Sequence, residues 1–259
     1  MTGSTRSLSL IVPTFREAEN IPVLVERVAA VARAHELDVE MLIVDDRSDD
    51  GTADAVARLA DRPWVRVIVR DGPRSLSWAV VDGMRHATYD RLVVMDADLS
   101  HPPEAIPALV SALDDPEIDF VVGSRYVPGG TIDPRWTLFR RINSLAARLM
   151  ARPLVPVRDA TSGFFALRRA QFRASGALKP VGYKIGLELL VKCHCRNVLE
   201  VHIHFSERHR GTTKFGLRQR LEYLEHLRRL WVYRFSVYFR EPKVGPESAN
   251  SREENRWQS

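Results

Sequence analysis

The sequence predicts an α/β protein built around a mostly parallel central sheet. Apolar segments alternate with amphipathic segments along the first half of the chain, at the spacing of βαβ units. The chain has 259 residues, of which 45% are hydrophobic, enough for one sizeable domain with a buried core. No run of about 18 apolar residues occurs, and no apolar leader opens the chain, so we expect neither a membrane-spanning helix nor a signal peptide.

Five strands and four helices are predicted before residue 127. The strands are apolar runs that end in polar or turn residues, at 8–15, 39–46, 65–69, 91–98 and 118–126. The segments between them repeat apolar residues at helical spacing, at 20–35, 48–60, 75–87 and 102–113. This alternation places the carboxyl ends of the strands at one edge of the sheet.

The second half of the chain has a different character. A helix is expected at 137–150, with Leu138, Ile142, Leu145 and Leu149 on one face. Strands are expected at 161–169 and 199–208, on either side of a helix near 185–195. A long, basic, aromatic-rich helix is predicted at 216–240, and the polar tail at 241–259 is expected to be disordered.

Positive charge is concentrated in two segments. Residues 134–158 contain six arginines and no acid, and residues 207–240 contain nine Lys or Arg against three Glu. The whole chain carries a formal net charge of +5, so the remainder is acidic. Patches of this kind suit an anionic partner such as a phospholipid surface, a phosphate group or nucleic acid.

The cysteines indicate a reducing compartment. The chain has only Cys193 and Cys195, too few for a disulfide framework. His202 and His204 lie nearby, but the C-x-C and H-x-H spacings are not those of a usual zinc finger, and we do not expect zinc.

Two aspartates directly follow the fourth predicted strand. In an extended chain, Asp96 and Asp98 point to the same side, and Ser100 continues the spacing. Two carboxylates this close repel each other unless a cation lies between them, and oxygen ligands favour Mg²⁺ or Mn²⁺. Taken alone, Asp98 could also be a helix cap and Asp96 a surface residue.

The chain has no G-x-G-x-x-G after its first strand and no P-loop motif, which argues against a dinucleotide-binding dehydrogenase or a P-loop enzyme.

Seven motifs carry a family resemblance over about residues 8–220. IVPTFREAENI, VDDRSDDGT, MDADLSHPPE and VVGSRYVPGG resemble, in this order, the family-2 glycosyltransferases with the GT-A (Rossmann-like) three-layer fold. DATSGFFALRR, GYKIGLELLVK and ERHRGTTKFG resemble the dolichyl- or polyprenyl-phosphate hexosyltransferases, above all the dolichol-phosphate mannose synthases. The resemblance implies a catalytic domain at 1–215 that transfers a hexose to a lipid phosphate and inverts the anomeric configuration. By this likeness the hexose is mannose and the donor is GDP-mannose.

The resemblance also implies roles for particular residues. The nucleotide pocket would be lined by Pro13, Phe15, Glu17 and Asp46. The metal on the diphosphate would be held by Asp96, Asp98 and Ser100. The phosphates of donor or acceptor would be bound by Arg125, Arg208 and Lys214, and the acidic positions on the acceptor side would be Asp159 and Glu188.

This chain departs from the family pattern at four places. Phe15 replaces a common Tyr and Arg16 a common Asn. The segment RSLSWAV (74–80) replaces a glycine-containing helix start, and Phe165 stands where a basic residue is common. These departures leave two alternatives open: a UDP-glucose-type donor, or a protein of this fold that binds sugar nucleotides without turnover. An ordinary ion pair is the alternative role for Arg125.

The two basic segments indicate where the enzyme works. Arginines beside an apolar stripe are typical of a helix at the lipid headgroup layer. We therefore expect a peripheral protein on the cytoplasmic face of a membrane, with a membrane-anchoring partner protein as a further possibility. A nucleic-acid partner is not expected, since no recognised module is present.

Overall fold

The computed structural model describes residues 6–59, 61–193, 195–207 and 217–238. Its strands are β1 (Arg6–Thr14), β2 (Leu37–Asp45), β3 (Val65–Val69), β4 (Arg91–Val94), β5 (Phe120–Ser124), β6 (Thr131–Ile132), β7 (Phe165–Arg168), β8 (Val198–His202) and β9 (His204–Phe205). Its helices are α1 (Ile21–Ala34), α2 (Thr52–Ala57), α3 (Leu76–His86), α4 (Ile106–Ala112), α5 (Leu138–Ala151), α6 (Arg169–Ala174), α7 (Ile185–Lys192) and α8 (Leu217–Tyr238).

A seven-stranded sheet in the order β3-β2-β1-β4-β7-β5-β8 forms the centre of the molecule. The strands β1 to β4 pair in parallel, as do β5 and β8. β7 alone runs antiparallel, between β4 and β5, with Phe165 opposite both Val94 and Val122. β7 therefore starts beside the carboxyl ends of its neighbours, because the chain returns there from the loops above the sheet. The predicted mostly parallel sheet is confirmed.

Helices cover both faces of the sheet. Successive strand residues point to opposite faces, so Leu10 belongs to the core that contains residues of α1 and α4, while Ile11 belongs to a second core that contains residues of α3, α7 and α8. One face of α8 joins the second core through Tyr223, Leu227 and Leu230. The predicted three-layer architecture is thereby confirmed, and none of the described helices contains a stretch long and apolar enough to cross a bilayer.

Several predicted boundaries were wrong. The strand predicted at 91–98 ends at Val94, because the following residues turn and Leu99 adopts a left-handed φ of 62°. The strand predicted at 199–208 is two strands, since β8 pairs with β5 whereas β9 pairs with β6 in a separate two-stranded sheet. β6 and α6 were not predicted. The predicted tail at 241–259 lies outside the described residues.

Candidate active site

A cleft of about 790 Å³ opens at the carboxyl ends of β1, β2, β4 and β5. This edge is where an α/β sheet gathers its ligand, and the volume is in the range of small-molecule sites. Its other sides are formed by α5, by the start of α7 and by residues from α8. Six predicted site residues line one end, in the last residues of β1 and on the loops after β1, β2 and β4: Pro13, Phe15, Glu17, Asp46, Asp96 and Asp98.

An aromatic ring and a guanidinium form the end of the cleft beside β1. The Phe15 ring lies 4.2 Å from the Arg74 guanidinium carbon, a cation–π distance. Arg74 precedes α3, in the segment that departs from the family pattern, and sequence analysis did not single it out. The departure at 74–80 was the signal, since Arg74 belongs to the segment that stands in place of a glycine-containing helix start, and its side chain reaches the cleft.

Asp46 is held by internal contacts. One of its carboxylate oxygens contacts the Arg70 guanidinium, and the other accepts from the backbone N–H of Ser75 at 2.8 Å. The Ser75 hydroxyl in turn caps α3 by accepting from the Trp78 N–H at 3.3 Å. Asp46 therefore lines the cleft and also fixes the start of α3.

The two aspartates lie in the turn after β4 and both line the cleft. One oxygen of Asp98 accepts from the Ser100 hydroxyl at 2.6 Å and from the Ser100 N–H at 3.1 Å. Ser100 is buried, and its hydroxyl orients Asp98. The premise of an extended chain through all three residues was wrong, because Leu99 turns the backbone between Asp98 and Ser100.

The surroundings of Asp96 leave room and charge for a cation. A Cβ atom on Gly163 would lie 3.3 Å and 3.4 Å from the Asp96 carboxylate oxygens, so glycine keeps this space open. The buried His101 accepts the Asp96 N–H at its Nδ1, 3.2 Å away. Burial lowers the pKa of His101, although Asp96 and Asp98 oppose the shift. A neutral imidazole does not cancel the carboxylate charge, so Asp96 and Asp98 fit a divalent cation.

A buried ion pair forms part of the opposite wall. Arg125 follows β5, and its Nε and Nη2 donate to the two Asp159 oxygens at 2.8 Å and 2.7 Å. Burial opposes ionisation of Asp159, but the Arg125 guanidinium outweighs it and holds the pKa of that carboxyl below its usual range. Both predicted residues are thus brought together, with Asp159 orienting Arg125 at the cleft.

Lys184 is a second cation in the cleft, and sequence analysis missed it. Burial lowers its pKa to about 8, assisted by Arg125 and opposed by Asp159 and Asp96. Its Nζ donates to the Thr161 carbonyl at 2.6 Å. The motif GYKIGLELLVK contains this lysine, but only the fold shows that it precedes α7 at the cleft.

Glu188 lies away from the cleft lining. It is buried on α7, where its Oε1 accepts from Lys192 Nζ at 2.6 Å and from the Lys179 N–H at 2.8 Å. Its Oε2 lies 3.5 Å from Nε2 of His226 on α8. These contacts indicate that Glu188 joins α7 to α8, and the substrate-binding role expected for it stays a prediction. The expected residues Arg208 and Lys214 lie outside the described residues.

Comparison with known proteins decides the family. A family model described as glycosyl transferase family 2 matches residues 9–176, well over half of the chain. This chain belongs to glycosyl transferase family 2. The matched range of this family-2 glycosyltransferase contains Asp96, Asp98, Arg125 and Asp159, whereas Lys184 and α8 follow it.

Curated relatives narrow the resemblance. This family-2 glycosyltransferase is 42% identical to a dolichol-phosphate mannosyltransferase of Mycosarcoma maydis over 244 residues, which cover 91% of this chain and 83% of that protein. It is 39% identical to the dolichol-phosphate mannosyltransferase of Saccharomyces cerevisiae, with 88% of each covered. It is 37% identical to the polyprenol monophosphomannose synthase of Mycolicibacterium smegmatis, with 82% of each covered. The predicted likeness to the dolichol-phosphate mannose synthases is confirmed.

Solved structures support the fold. A glucosyl-3-phosphoglycerate synthase from Mycobacterium tuberculosis, in complex with Mn²⁺, UDP-glucose and phosphoglyceric acid, superposes with a TM-score of 0.65. The match covers 88% of this chain and 79% of that chain at 17% identity. At this identity the likeness concerns the architecture alone, and it agrees with the predicted GT-A-type α/β fold.

Proposed function

We propose that this chain is an inverting glycosyltransferase that moves mannose from GDP-mannose to a polyprenyl or dolichyl phosphate. One observation carries the proposal: a carboxylate pair and a group of cations line the same cleft. The names of the relatives, dolichol-phosphate mannosyltransferase and polyprenol monophosphomannose synthase, supply the sugar and the acceptor class.

The donor would bind at the end of the cleft formed by β1, β2 and β4. Phe15 offers apolar ring surface to the nucleoside, and Arg74, whose guanidinium lies on the Phe15 ring, offers N–H groups to a base edge or a phosphate. Asp96 and Asp98 would hold Mg²⁺ or Mn²⁺, which when bound supplies Lewis-acid stabilisation of the leaving nucleoside diphosphate. Ser100 and Gly163 keep the two carboxylates oriented and uncovered.

The acceptor would bind at the cationic wall. A phosphate monoester is already ionised near neutral pH, so the site needs orientation and charge rather than a general base. Arg125 is oriented by Asp159, Lys184 is held by the Thr161 carbonyl, and the Arg140 guanidinium stacks on Trp136 at 3.8 Å. We include Arg208 and Lys214 in this set on the family resemblance. In-line attack on an α-linked donor then yields a β-linked product.

The acceptor lipid resides in a membrane, and α5 suits that surface. Leu138, Ile142, Leu145 and Leu149 are each about half exposed or more, and residues 134–158 contain no acid. Apolar side chains flanked by arginines match a headgroup layer. We propose a catalytic domain at 1–215 and an interfacial helix at 216–240, peripheral on the cytoplasmic face of a membrane, with an anchoring partner protein as a possible addition.

A transfer assay tests the proposal. Purified protein receives polyprenyl phosphate, Mg²⁺ or Mn²⁺, and labelled GDP-mannose or UDP-glucose in parallel. We expect metal-dependent label from GDP-mannose in the organic phase, reduced on the order of a hundredfold or more by Asp98→Asn. Asp90→Asn is the matched control, because it makes the same change in an exposed side chain just before β4.

Each contrary outcome has its own meaning. Label transferred from UDP-glucose alone would show that the donor is UDP-glucose and not GDP-mannose. Full activity of Asp98→Asn would remove the carboxylate pair from the mechanism. No transfer from either donor, with sugar-nucleotide binding intact, would favour the binding protein without turnover.

A further inference from the structure

A second pocket, of about 410 Å³, lies on the outer side of α5. Its lining includes Tyr126, Thr131, Ile132, Arg141, Leu145 and Arg148. Arg125 is among the lining residues of both this pocket and the active-site cleft, so the two lie next to each other. The catalytic proposal gives this outer pocket no role.

The two α5 arginines in the pocket keep their charge available. Arg148 stacks on the Tyr126 ring at 3.6 Å, and its Nε donates to the Arg158 carbonyl at 2.8 Å. Arg141 donates to the Pro134 carbonyl at 3.4 Å. These partners are neutral, and in the part of the chain that the structure describes no carboxylate lies within ion-pair distance of Arg141 or Arg148. Both therefore retain donors for an anion, and Arg148 is already oriented.

The facing wall is a glycine turn and a short strand. Gly129 adopts φ +87°, and a Cβ on Gly130 would lie 2.8 Å from the backbone of Arg125. The chain therefore passes close to β5 without side chains before it enters β6. β6 is held in turn by its pairing with β9. The pocket thus has one wall of fixed backbone and one wall of arginines.

The rim of the pocket indicates the kind of anion. Leu145 lines the pocket, and on the same helix Leu138, Ile142 and Leu149 are exposed. Arg141, Leu145 and Arg148 are spaced four and three residues apart, so they share one helix face. A soluble phosphate would use the arginines but would leave these apolar side chains in water. A phospholipid satisfies both groups at once.

We propose that the outer pocket binds the phosphate headgroup of an anionic membrane phospholipid while the apolar face of α5 contacts the acyl chains. The inference rests on the proposed membrane location of this same enzyme and adds a defined headgroup site to it. The bound phospholipid is an ordinary component of the membrane. It is distinct from the acceptor, whose phosphate receives the sugar in the cleft. Its binding would hold α5, one wall of the cleft, against the bilayer.

Vesicle flotation tests this proposal without any turnover. The full chain is mixed with phosphatidylcholine vesicles, with and without phosphatidylglycerol, in the absence of sugar nucleotide and polyprenyl phosphate. We expect phosphatidylglycerol to increase binding, and R141Q/R148Q to lower that binding about tenfold or more. The matched control is R152Q/R158Q, which removes the same charge from exposed arginines of the same segment outside the pocket. We expect its loss of vesicle binding to be several-fold smaller.

Three results would overturn the proposal. Equal losses of vesicle binding in the two double variants would indicate that the overall positive charge of the segment attracts the membrane, and not the pocket. No loss in R141Q/R148Q, with unfolding temperatures matching those of the unchanged chain, would remove the pocket from membrane binding. In a parallel series, polyprenyl phosphate replaces phosphatidylglycerol in the vesicles; a loss of R141Q/R148Q binding seen only in that series would assign the pocket to the acceptor. Because no donor is present, failure here is separate from failure of the transfer assay.

Arg148→Lys is the conservative variant. It keeps the positive charge but loses the planar fork and its stacking on Tyr126. We expect it to bind phosphatidylglycerol vesicles more weakly than the unchanged chain and better than Arg148→Gln. Binding equal to that of the unchanged chain would show that charge alone suffices and that the shape of the pocket is irrelevant.

Discussion

The helices α1 and α5 each have 14 residues and an apolar face at helical spacing, yet the fold treats them in opposite ways. α1 buries the whole of its apolar face: Ile21, Leu24, Val25, Val28 and Val31. α5 buries only Ala151 among its residues and leaves its leucines exposed. Apolar periodicity therefore predicts that a helix has a face to cover, but not what covers it.

The difference arises from what each helix packs against. α1 lies on the sheet, which needs apolar cover, whereas α5 lies across the mouth of the cleft. The residues that α5 turns toward the cleft include Arg140, Asn143 and Ser144, and the Ser144 hydroxyl is 2.7 Å from that of Tyr126. A polar face directed inward forces the apolar face outward. The mixture of arginines and leucines in α5 is the sequence signal that separates it from α1.

The largest expected effect concerns stability. Leu24→Ala on α1 removes a fully buried side chain and should lower the free energy of unfolding by about 2–5 kcal/mol. Leu145→Ala on α5 should change it by less than about 0.5 kcal/mol, because that side chain is half exposed. Urea unfolding measures both. A comparable loss for Leu145→Ala would mean that the α5 face is covered in solution.

Membrane binding should reverse the ranking of the two helices. Ile142→Ser together with Leu149→Ser removes apolar area from the exposed face of α5, and we expect about a tenfold or greater loss of vesicle binding by flotation. Val23→Ser is the control on α1, since Val23 is 41% exposed but belongs to a helix whose apolar face packs on the sheet. Equal losses of vesicle binding from the α1 and α5 variants would show that the exposed face of α5 has no special role at the membrane.

The pH dependence should separate the cleft from the surface of α5. The pKa of Lys184 is lowered to about 8, so this lysine is protonated below that pH and loses its charge above it. We expect kcat/KM for the acceptor phosphate to fall as pH rises through about 8, and Lys184→Arg to weaken that dependence. Vesicle binding through arginines should stay constant over the same range, because guanidinium groups remain protonated. A flat kcat/KM profile would show that the charge of Lys184 does not act on the acceptor.

The smallest expected effect lies at the donor end, away from α5. Arg74→Ala removes the guanidinium that the proposal places against the nucleotide, and loss of an exposed contact of about 0.5–1 kcal/mol should raise the KM for the sugar nucleotide about two- to fivefold. Arg16→Ala is the control, since Arg16 also approaches the Phe15 ring but is paired with Asp49 at 2.7 Å. Vesicle binding should be unchanged in both variants, and a change there would connect the donor end to the membrane face.

Much of the fold followed from local pattern. Apolar runs and helical periodicity predicted β1 to β3 and α1, α3 and α5 to within a few residues, because those signals lie within each segment. The motif order was sufficient to recognise the family. Boundaries failed where a partner elsewhere in the chain decides them, as in the strand predicted at 199–208, which divides because β8 pairs with β5 and β9 pairs with β6.

The candidate site was predicted less completely than the fold. Pro13, Phe15, Glu17 and Asp96 do line the cleft, and their motifs gave the signal. Glu188 was expected beside the acceptor but contacts Lys192 and His226, one turn along α7 and on α8 respectively. Lys184 and Arg74 were overlooked although each lies in a segment that the sequence analysis quoted, because only the fold shows which side chain of the segment reaches the cleft.

The sequence by itself determined the α/β class, the family, and the carboxylate pair after the fourth strand. Only the tertiary structure decided that Asp159 orients Arg125 across 34 residues of chain, that Lys184 loses basicity in the cleft, and that α5 turns its leucines to solvent. The physical reason is the distance along the chain over which each interaction acts. Strand and helix preferences come from neighbours along the chain, whereas burial, charge pairing and pKa depend on groups that only folding brings together.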